Sequence, residues 1–271
     1  MPKDYDQELK GLDIELEKEH KRIAVLESLK EYNKPDRVVP VLELAQELKE
    51  LRANTKVSPT PFSPLTKILG GFHPGQLVVV SGPTGQGKTT ILKTFTKTFI
   101  KEQIASLWFS YEVPTLEFLE NFPGVPTFFV PHEMTTGKVQ WIEQRILEAI
   151  AKYDAKIVFI DHLHYLMDMK YLANQNTSLL IGGILRDLKT IAIKNEIVIF
   201  LVAHLAKVDL EAGAPDINDL RDSSFIGQEA DTVMIFWRKY ESQTAQQKRD
   251  KEPKIWKPES RIAVVKNRRT G

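Results

Sequence analysis

The run Gly82-Pro-Thr-Gly-Gln-Gly-Lys88-Thr89-Thr90 follows directly on the apolar stretch Leu77-Val-Val-Val-Ser81 and leads into a helical segment to about Lys101. An apolar strand, a tight glycine-rich turn and a helix start, in that order, restrict the chain to α/β folds. The spacing fits the pattern G-x-x-x-x-G-K-[ST], whose glycines let a loop curl until successive backbone N–H groups point inward. Inward N–H groups and the positive end of the next helix together attract a phosphate chain. Gly82, Pro83, Thr84, Gly85, Gln86, Gly87, Lys88, Thr89 and Thr90 are therefore the candidate nucleotide-binding residues. Lys88 would reach the outer phosphates and the Thr89 hydroxyl would ligate Mg²⁺.

Such a fold needs a sizeable core, and 271 residues with 42% apolar and 27% charged side chains suffice for one α/β domain plus an appendage. With no cysteine, disulfides and thiolate zinc sites are excluded, and a reducing cytoplasm is the expected setting. No apolar run approaches a membrane span and no leader-like segment opens the chain. The net charge of +1 conceals an asymmetry: residues 238–271 hold eleven Lys/Arg against four Asp/Glu, so that end carries +7 and the rest −6. A basic end is either a solvated face or a surface for phosphates and nucleic acid.

Residues 1–57 read as a helical arm. Leu9, Leu12, Leu16, Ile23 and Leu26 form one narrow apolar stripe on a helix at 3–32, interrupted by Glu19 and Lys30, so a long coiled coil is not expected. After the break at Asn33-Lys-Pro-Asp36, a second helix is expected over 39–52, anchored by Leu42, Leu44, Leu48 and Leu51. A helix this short is marginal alone and must dock on its own chain or on a neighbouring subunit. Ser58-Pro-Thr-Pro-Phe-Ser-Pro64 resists helix and strand and marks a boundary, so that 58–271 forms the second domain. Beyond it, strands are expected at 77–81, 105–110, 156–160, 197–203, 232–237 and 261–266, with helices at 137–153 and 178–195. Near-continuous apolar strands alternating with helices imply a mostly parallel sheet covered on both faces, with function at the carboxyl ends of the strands.

Those strand ends carry polar groups. Lys156-Ile-Val-Phe-Ile160 closes on Asp161, a carboxylate suited to the Mg²⁺ shell. Glu112 ends Leu107-Trp-Phe-Ser-Tyr-Glu112 and is either a general base for water or a solvated terminus. His204 follows Ile197-Val-Ile-Phe-Leu-Val-Ala203 and could sense the γ-phosphate or serve structurally. His162 and His164 flank Leu163, but Mg²⁺ prefers oxygen ligands and no cysteine supports zinc, so a histidine-metal site is not expected there. Lys266, Arg268 and Arg269 end the last strand, either as a frayed basic terminus or as charges aimed at a neighbour's phosphate site.

Taken together, these residues resemble the RecA-type motor domain of DnaB-type replicative helicases, a family that includes phage primase-helicases and Twinkle-type enzymes. The resemblance runs from about Pro59 to Gly271. It starts at Pro59-Thr-Pro-Phe-Ser-Pro-Leu-Thr-Lys-Ile-Leu-Gly-Gly71 and passes through the glycine-rich loop, Phe109-Ser-Tyr-Glu-Val113, Asp161-His-Leu-His-Tyr165 and Ala203-His-Leu-Ala-Lys207. Its most specific piece is Asp219-Leu-Arg-Asp-Ser-Ser-Phe-Ile-Gly-Gln-Glu-Ala-Asp231. The resemblance implies a RecA-like P-loop core preceded by a helical linker, and a ring or spiral, usually a hexamer, that threads single-stranded DNA. It implies ATP and Mg²⁺ as cofactors, with ATP sites between subunits. Glu112 would be the catalytic glutamate, Thr89 and Asp161 the metal residues and His204 the γ-phosphate sensor. Lys266-Asn-Arg268 would be the finger that reaches the adjacent subunit's ATP. DNA-contacting loops would fall around 168–180 and 207–224, with Lys207, Arg221, Asp222 and Ser224 near the strand. The helix at 39–52 would match a linker helix that packs on the neighbouring motor domain.

The sequence also departs from the family pattern. His164 and His204 stand where bacterial members mostly carry glutamine, no thiolate primase module is present, and the chain stops after the finger segment. The implied activity is an ATP-dependent replicative-type DNA helicase, with a primase or loader as a partner and no membrane. Two alternatives stay open: another RecA-core ATPase, a recombinase or KaiC-like regulator, and a non-unwinding ATP-binding adaptor of a helicase.

Overall fold

A computed structural model describes residues 5–34, 37–45, 56–113, 115–120, 122, 127–135, 138–167, 177–205, 214–220, 223–240 and 256–270. The chain divides into two compact units, Met1–Thr55 and Lys56–Gly271. In the first, helix α1 (Tyr5–Lys30) is held by local ion pairs such as Lys21–Glu17 at 2.7 Å, and Leu12, Leu16, Ile23 and Leu26 are exposed on it. Of the second helix expected over 39–52, residues 41–45 are helical, 39 and 40 are not, and 46–52 lie outside the described residues.

The second unit is built on one six-stranded sheet, in the order β2-β3-β4-β1-β5-β6. Its strands are β1 (Leu77–Gly82), β2 (Ser106–Ser110), β3 (Ile157–Asp161), β4 (Val198–His204), β5 (Thr232–Tyr240) and β6 (Trp256–Asn267). The first five are mutually parallel; β6 runs antiparallel to β5 and closes that edge. The period of two along each strand sorts side chains onto two faces. Leu77, Val79, Phe109, Val158, Ile160, Ile199 and Leu201 enter one core, beneath helices α5 (Val139–Tyr153) and α6 (Thr177–Lys194). Val78, Val80, Trp108, Phe159, Phe200 and Val202 enter the other. There they meet helices α2 (Ser63–Leu69) and α3 (Lys88–Lys101). Burial on both faces explains why these strands read as unbroken apolar runs.

The second core is aromatic: Phe72 meets Phe200 edge-on at 4.7 Å, and Trp108 stacks on Phe159 at 4.4 Å. The Trp108 indole N–H donates to Thr96 Oγ1 on α3 at 2.9 Å, so the ring is buried without an orphan donor. Two short helices, α4 (Thr115–Glu120) and α7 (Ser223–Glu229), complete the unit.

The proline-rich entry is more ordered than its composition suggests. Ser58 pairs antiparallel with Phe72, and Ser63–Leu69 is helical with Pro64 in its first turn. Proline is tolerated there because that N–H has no intrahelical partner to lose.

Candidate functional site: the carboxyl rim of the sheet

The phosphate-type loop leaves β1 at Gly82 and enters α3 at Lys88. Glycine at 82 is required by close approach: a Cβ there would run into the Phe236 carbonyl oxygen of β5. Gly87, with φ of 93°, supplies the left-handed residue that starts α3. Buried Gln86 ties the loop to β5, its Oε1 accepting from the Arg238 N–H at 2.9 Å. Thr84, Gly85 and Thr90 stay exposed on the solvent side, while Pro83 is partly covered.

Lys88 is buried, and its Nζ donates to the carbonyls of Gly82 at 3.0 Å and Pro83 at 3.1 Å. Burial lowers its pKa, and the carboxylates of Glu112 and Asp161 work against that shift. An ammonium held on neutral carbonyls, with no ion pair among the described contacts, is poised for an anion.

The same loop end meets β3. Thr89 Oγ1 donates to Asp161 Oδ2 at 2.6 Å. Asp161 is 1% exposed, and its second oxygen, Oδ1, is buried with no hydrogen-bond partner. Burial raises its pKa, with the Thr89 hydrogen bond opposing. A buried carboxylate oxygen without a partner is costly unless a cation or donor meets it. A hydroxyl and a carboxylate side by side are the hard oxygen ligands that Mg²⁺ takes.

Glu112 and His204 sit beside this pair because β2, β3, β4 and β1 are successive neighbours. Ser110 lies opposite Asp161, and Gly82 opposite His204, so all four strands end at one rim. Glu112 is partly exposed and its Oε2 lies 3.5 Å from His162 Nδ1. Tyr111, stacked on Tyr165 at 5.6 Å, fixes the preceding turn through its N–H to the Asp161 carbonyl. The His162 and His204 rings meet edge-on at 4.3 Å. Burial, and then the neighbouring His204, push the His162 pKa down to about 4, so it is neutral at physiological pH.

Lys266 and Arg268 lie elsewhere. Because β6 is antiparallel, Asn267 stands opposite Thr232, and Thr232 is bonded to the level of Val78 at the start of β1. Arg268 Nη1 donates to Asp231 Oδ1 at 3.3 Å, and Nη2 to the Gln228 carbonyl. Lys266 Nζ donates to the carbonyls of Gly227 and Ala230 at 2.5 and 2.6 Å. Asp231 Oδ2 also accepts from the Leu77 N–H at 2.8 Å and from Lys189 Nζ at 2.6 Å. Leu77 to Gly82 is about 16 Å of strand. Arg268 therefore lies at the opposite rim from the loop of its own chain. Lys189 was not singled out from sequence, and Asp231 only as the last residue of the segment 219–231, without a role: the local signal is a lysine beside the apolar face of α6 and an aspartate just before a strand.

Of the residues matched to DNA-contacting loops, Ser224 is exposed in the first turn of α7. Lys207, Arg221 and Asp222 lie outside the described residues. A bridge between Leu205 and Leu220 ties the ends of the segment between them. A cavity of about 530 Å³ is lined by Leu107 of β2 and by Phe129, Trp141, Arg145 and Tyr153 among others. Among the described residues, no helix is long and apolar enough to cross a membrane.

A mostly parallel sheet with a glycine-rich phosphate loop on a central strand, and a carboxylate two strands away bonded to the loop threonine, defines a P-loop nucleotide-binding protein of the RecA-like type. Residues 124–271 match the DnaB-like helicase C-terminal domain. The chain belongs to that family. Its relatives include the replicative DNA helicase DnaB of Helicobacter pylori (strain ATCC 700392 / 26695), 26% identical over 67% of this chain and 44% of that protein. The DnaB of Leifsonia xyli subsp. xyli (strain CTCB07) is 23% identical over 66% of this chain and 46% of that protein. The chain thus spans less than half the length of these relatives. Among solved structures, the ATPase domain of G40P shares the fold with a TM-score of 0.62 and 19% identity, over 84% of this chain and 89% of that one. A DnaB-like replicative helicase, studied with its primase interactions, gives a TM-score of 0.62 and 18% identity over 98% of this chain and 72% of that one.

Proposed function

We propose that this chain is the ATP-hydrolysing motor of a replicative-type DNA helicase, with residues 1–57 as arm and linker and 58–271 as the motor domain. The observation that carries the reading is the 2.6 Å bond between Thr89 and Asp161, beside a Lys88 ammonium with only carbonyls for partners. ATP lies on the loop 82–90, its phosphates on the backbone N–H groups and the start of α3. Lys88 swings from the loop carbonyls onto the outer phosphates. The Thr89 hydroxyl and the unpartnered Asp161 Oδ1 would hold Mg²⁺, which when bound offsets charge on the phosphate oxygens. Glu112 orients a water for in-line attack and accepts its proton. His204 donates to the γ-phosphate and registers its departure.

One charge is missing from this set within a single chain, since Arg268 stands at the far rim. A head-to-tail arrangement of copies brings the far rim of one against the loop of the next. We therefore assign Arg268, supported by Lys266, to the neighbour's ATP and read the working form as a ring or spiral, with a hexamer as the expected size. Single-stranded DNA is held through its phosphates by the segments around 168–180 and 207–224, including Lys207, Arg221, Asp222 and Ser224, so binding is sequence-tolerant and salt-sensitive. A primase or loader is the expected partner, in a cytoplasmic setting.

The test is ATPase activity with and without single-stranded DNA, alongside sizing in the presence of nucleotide and a strand-displacement assay. DNA-stimulated turnover, a nucleotide-dependent oligomer and unwinding are expected, and Glu112→Gln should abolish hydrolysis while leaving ATP binding intact. A protein that stays monomeric, with turnover indifferent to DNA, would overturn the motor reading and leave an ATP-binding adaptor. Joint-molecule formation without unwinding would favour a recombinase.

A further inference from the structure

The polar rim holds more donors than phosphate chemistry uses. Glu112, His162 and His204 each offer one ligand atom, and these atoms all lie within 4.8 Å of one another. They come from the ends of β2, β3 and β4, three adjacent strands. The convergence is built into the sheet: neighbouring strands are about 4.8 Å apart, and the register brings these ends to one level. His164 adds a third ring 5.4 Å from His162 and 5.7 Å from His204.

Two imidazoles and a carboxylate are a nitrogen-rich set, unlike the oxygen pair of Thr89 and Asp161. Mg²⁺ is a poor match for it; Zn²⁺ and Co²⁺ are a good one, and two His with one Glu is a recurrent zinc ligand set. Bonds of about 2.0–2.1 Å in a tetrahedron require donors about 3.3 Å apart. Glu112 and His162 are already at 3.5 Å. The two rings are held by packing, His162 between His204 and the Tyr165 ring at 5.0 Å. Glu112 is the exposed member, and its side chain can rotate to adjust its distance to the two rings.

We propose that Glu112, His162 and His204 form a second cation site, selective for a borderline transition ion of the Zn²⁺ class over Mg²⁺. Occupancy takes the Glu112 carboxylate away from water, so such an ion switches off hydrolysis without displacing ATP. That consequence, unlike the site itself, rests on the role of Glu112 proposed above.

The site is tested by titrating the full chain, without nucleotide and in excess Mg²⁺, with Co²⁺ and following its visible absorption. One equivalent should give the intense band of four- or five-coordinate cobalt, displaced by Zn²⁺. Affinity should fall at least about 10-fold in His162→Ala and His204→Ala. Glu112→Gln, a change of one atom on an exposed side chain, should do the same and guards against misfolding in the histidine variants. Asp161→Asn should leave the band in place. Loss of the band in Asp161→Asn, its displacement by Mg²⁺, or equal binding in Glu112→Gln would overturn the proposal. Cobalt binding as expected with no inhibition of hydrolysis would uphold the site and remove Glu112 from the catalytic role.

Discussion

The two rims of the sheet use the same kinds of residue to opposite ends. At the amino rim, Asp231 is buried and both its oxygens are met, by the Leu77 N–H, Lys189 and Arg268. At the carboxyl rim, Asp161 is just as buried, yet one oxygen is met by Thr89 and the other by nothing in the described protein. A saturated carboxylate holds strands together; an unsaturated one waits for a ligand. Burial alone does not distinguish them, because both lie under 10% exposed. What distinguishes them is the count of donors.

Arg268 is the residue that can break this comparison, since it belongs to the saturated rim and is assigned to a neighbour's phosphates. Arg268→Ala should lower steady-state ATP turnover of the assembled protein by ~10³–10⁵-fold. Because the side chain is half-exposed, the same change should cost only about 0–1 kcal/mol in a urea unfolding curve. Unchanged turnover would return Arg268 to a purely structural role.

Asp231→Ala sharpens the contrast from the structural side. It leaves the partly buried Lys189 ammonium with the Gly75 carbonyl but no counter-charge, and urea unfolding should show a loss of about 3–5 kcal/mol. Adding Lys189→Met should restore part of it. A loss below about 1 kcal/mol would mean the amino rim is not a stabilising hub.

Asp161→Asn is the matched change at the other rim. Hydrolysis should fall by ~10²–10³-fold, as when one preorganised electrostatic group is removed. Its unfolding midpoint should hold or rise, since burial already disfavours the ionised carboxylate. Marked destabilisation would show that the two rims are built alike.

The smallest effect belongs to neither rim. Thr96→Val removes the acceptor of the Trp108 indole N–H and should cost about 1–2 kcal/mol of stability, with turnover per folded molecule unchanged. A change in turnover would show that the aromatic core is coupled to the loop above it.

Much of this architecture could be read residue by residue. The strand positions were legible because burial on both faces writes apolar runs such as Ile197–Ala203, and α3 was legible because the loop motif dictates where it begins. The antiparallel course of β6 was not: strand direction leaves no mark on an apolar run. Nor were α2, where Pro64 reads as a breaker until it is known to occupy a first turn, or the short helices α4 and α7, whose lengths fall below any periodic signal. The loop residues and Asp161 declared themselves locally as candidates, since each ends an apolar run. The cluster of Glu112, His162 and His204 did not, because its members become neighbours only through strand order.

The amino-acid sequence by itself therefore determined the α/β class, the strand positions and the phosphate loop, all of which depend on patterns within about a dozen residues. Tertiary structure alone decided which carboxylate is saturated, which rim holds Arg268, and which rings stand beside Glu112. Asp231 meets the Leu77 N–H across 154 residues of chain, and Thr89 meets Asp161 across 72. Contacts at that range are set by the order of strands in the sheet, which no local run of side chains encodes.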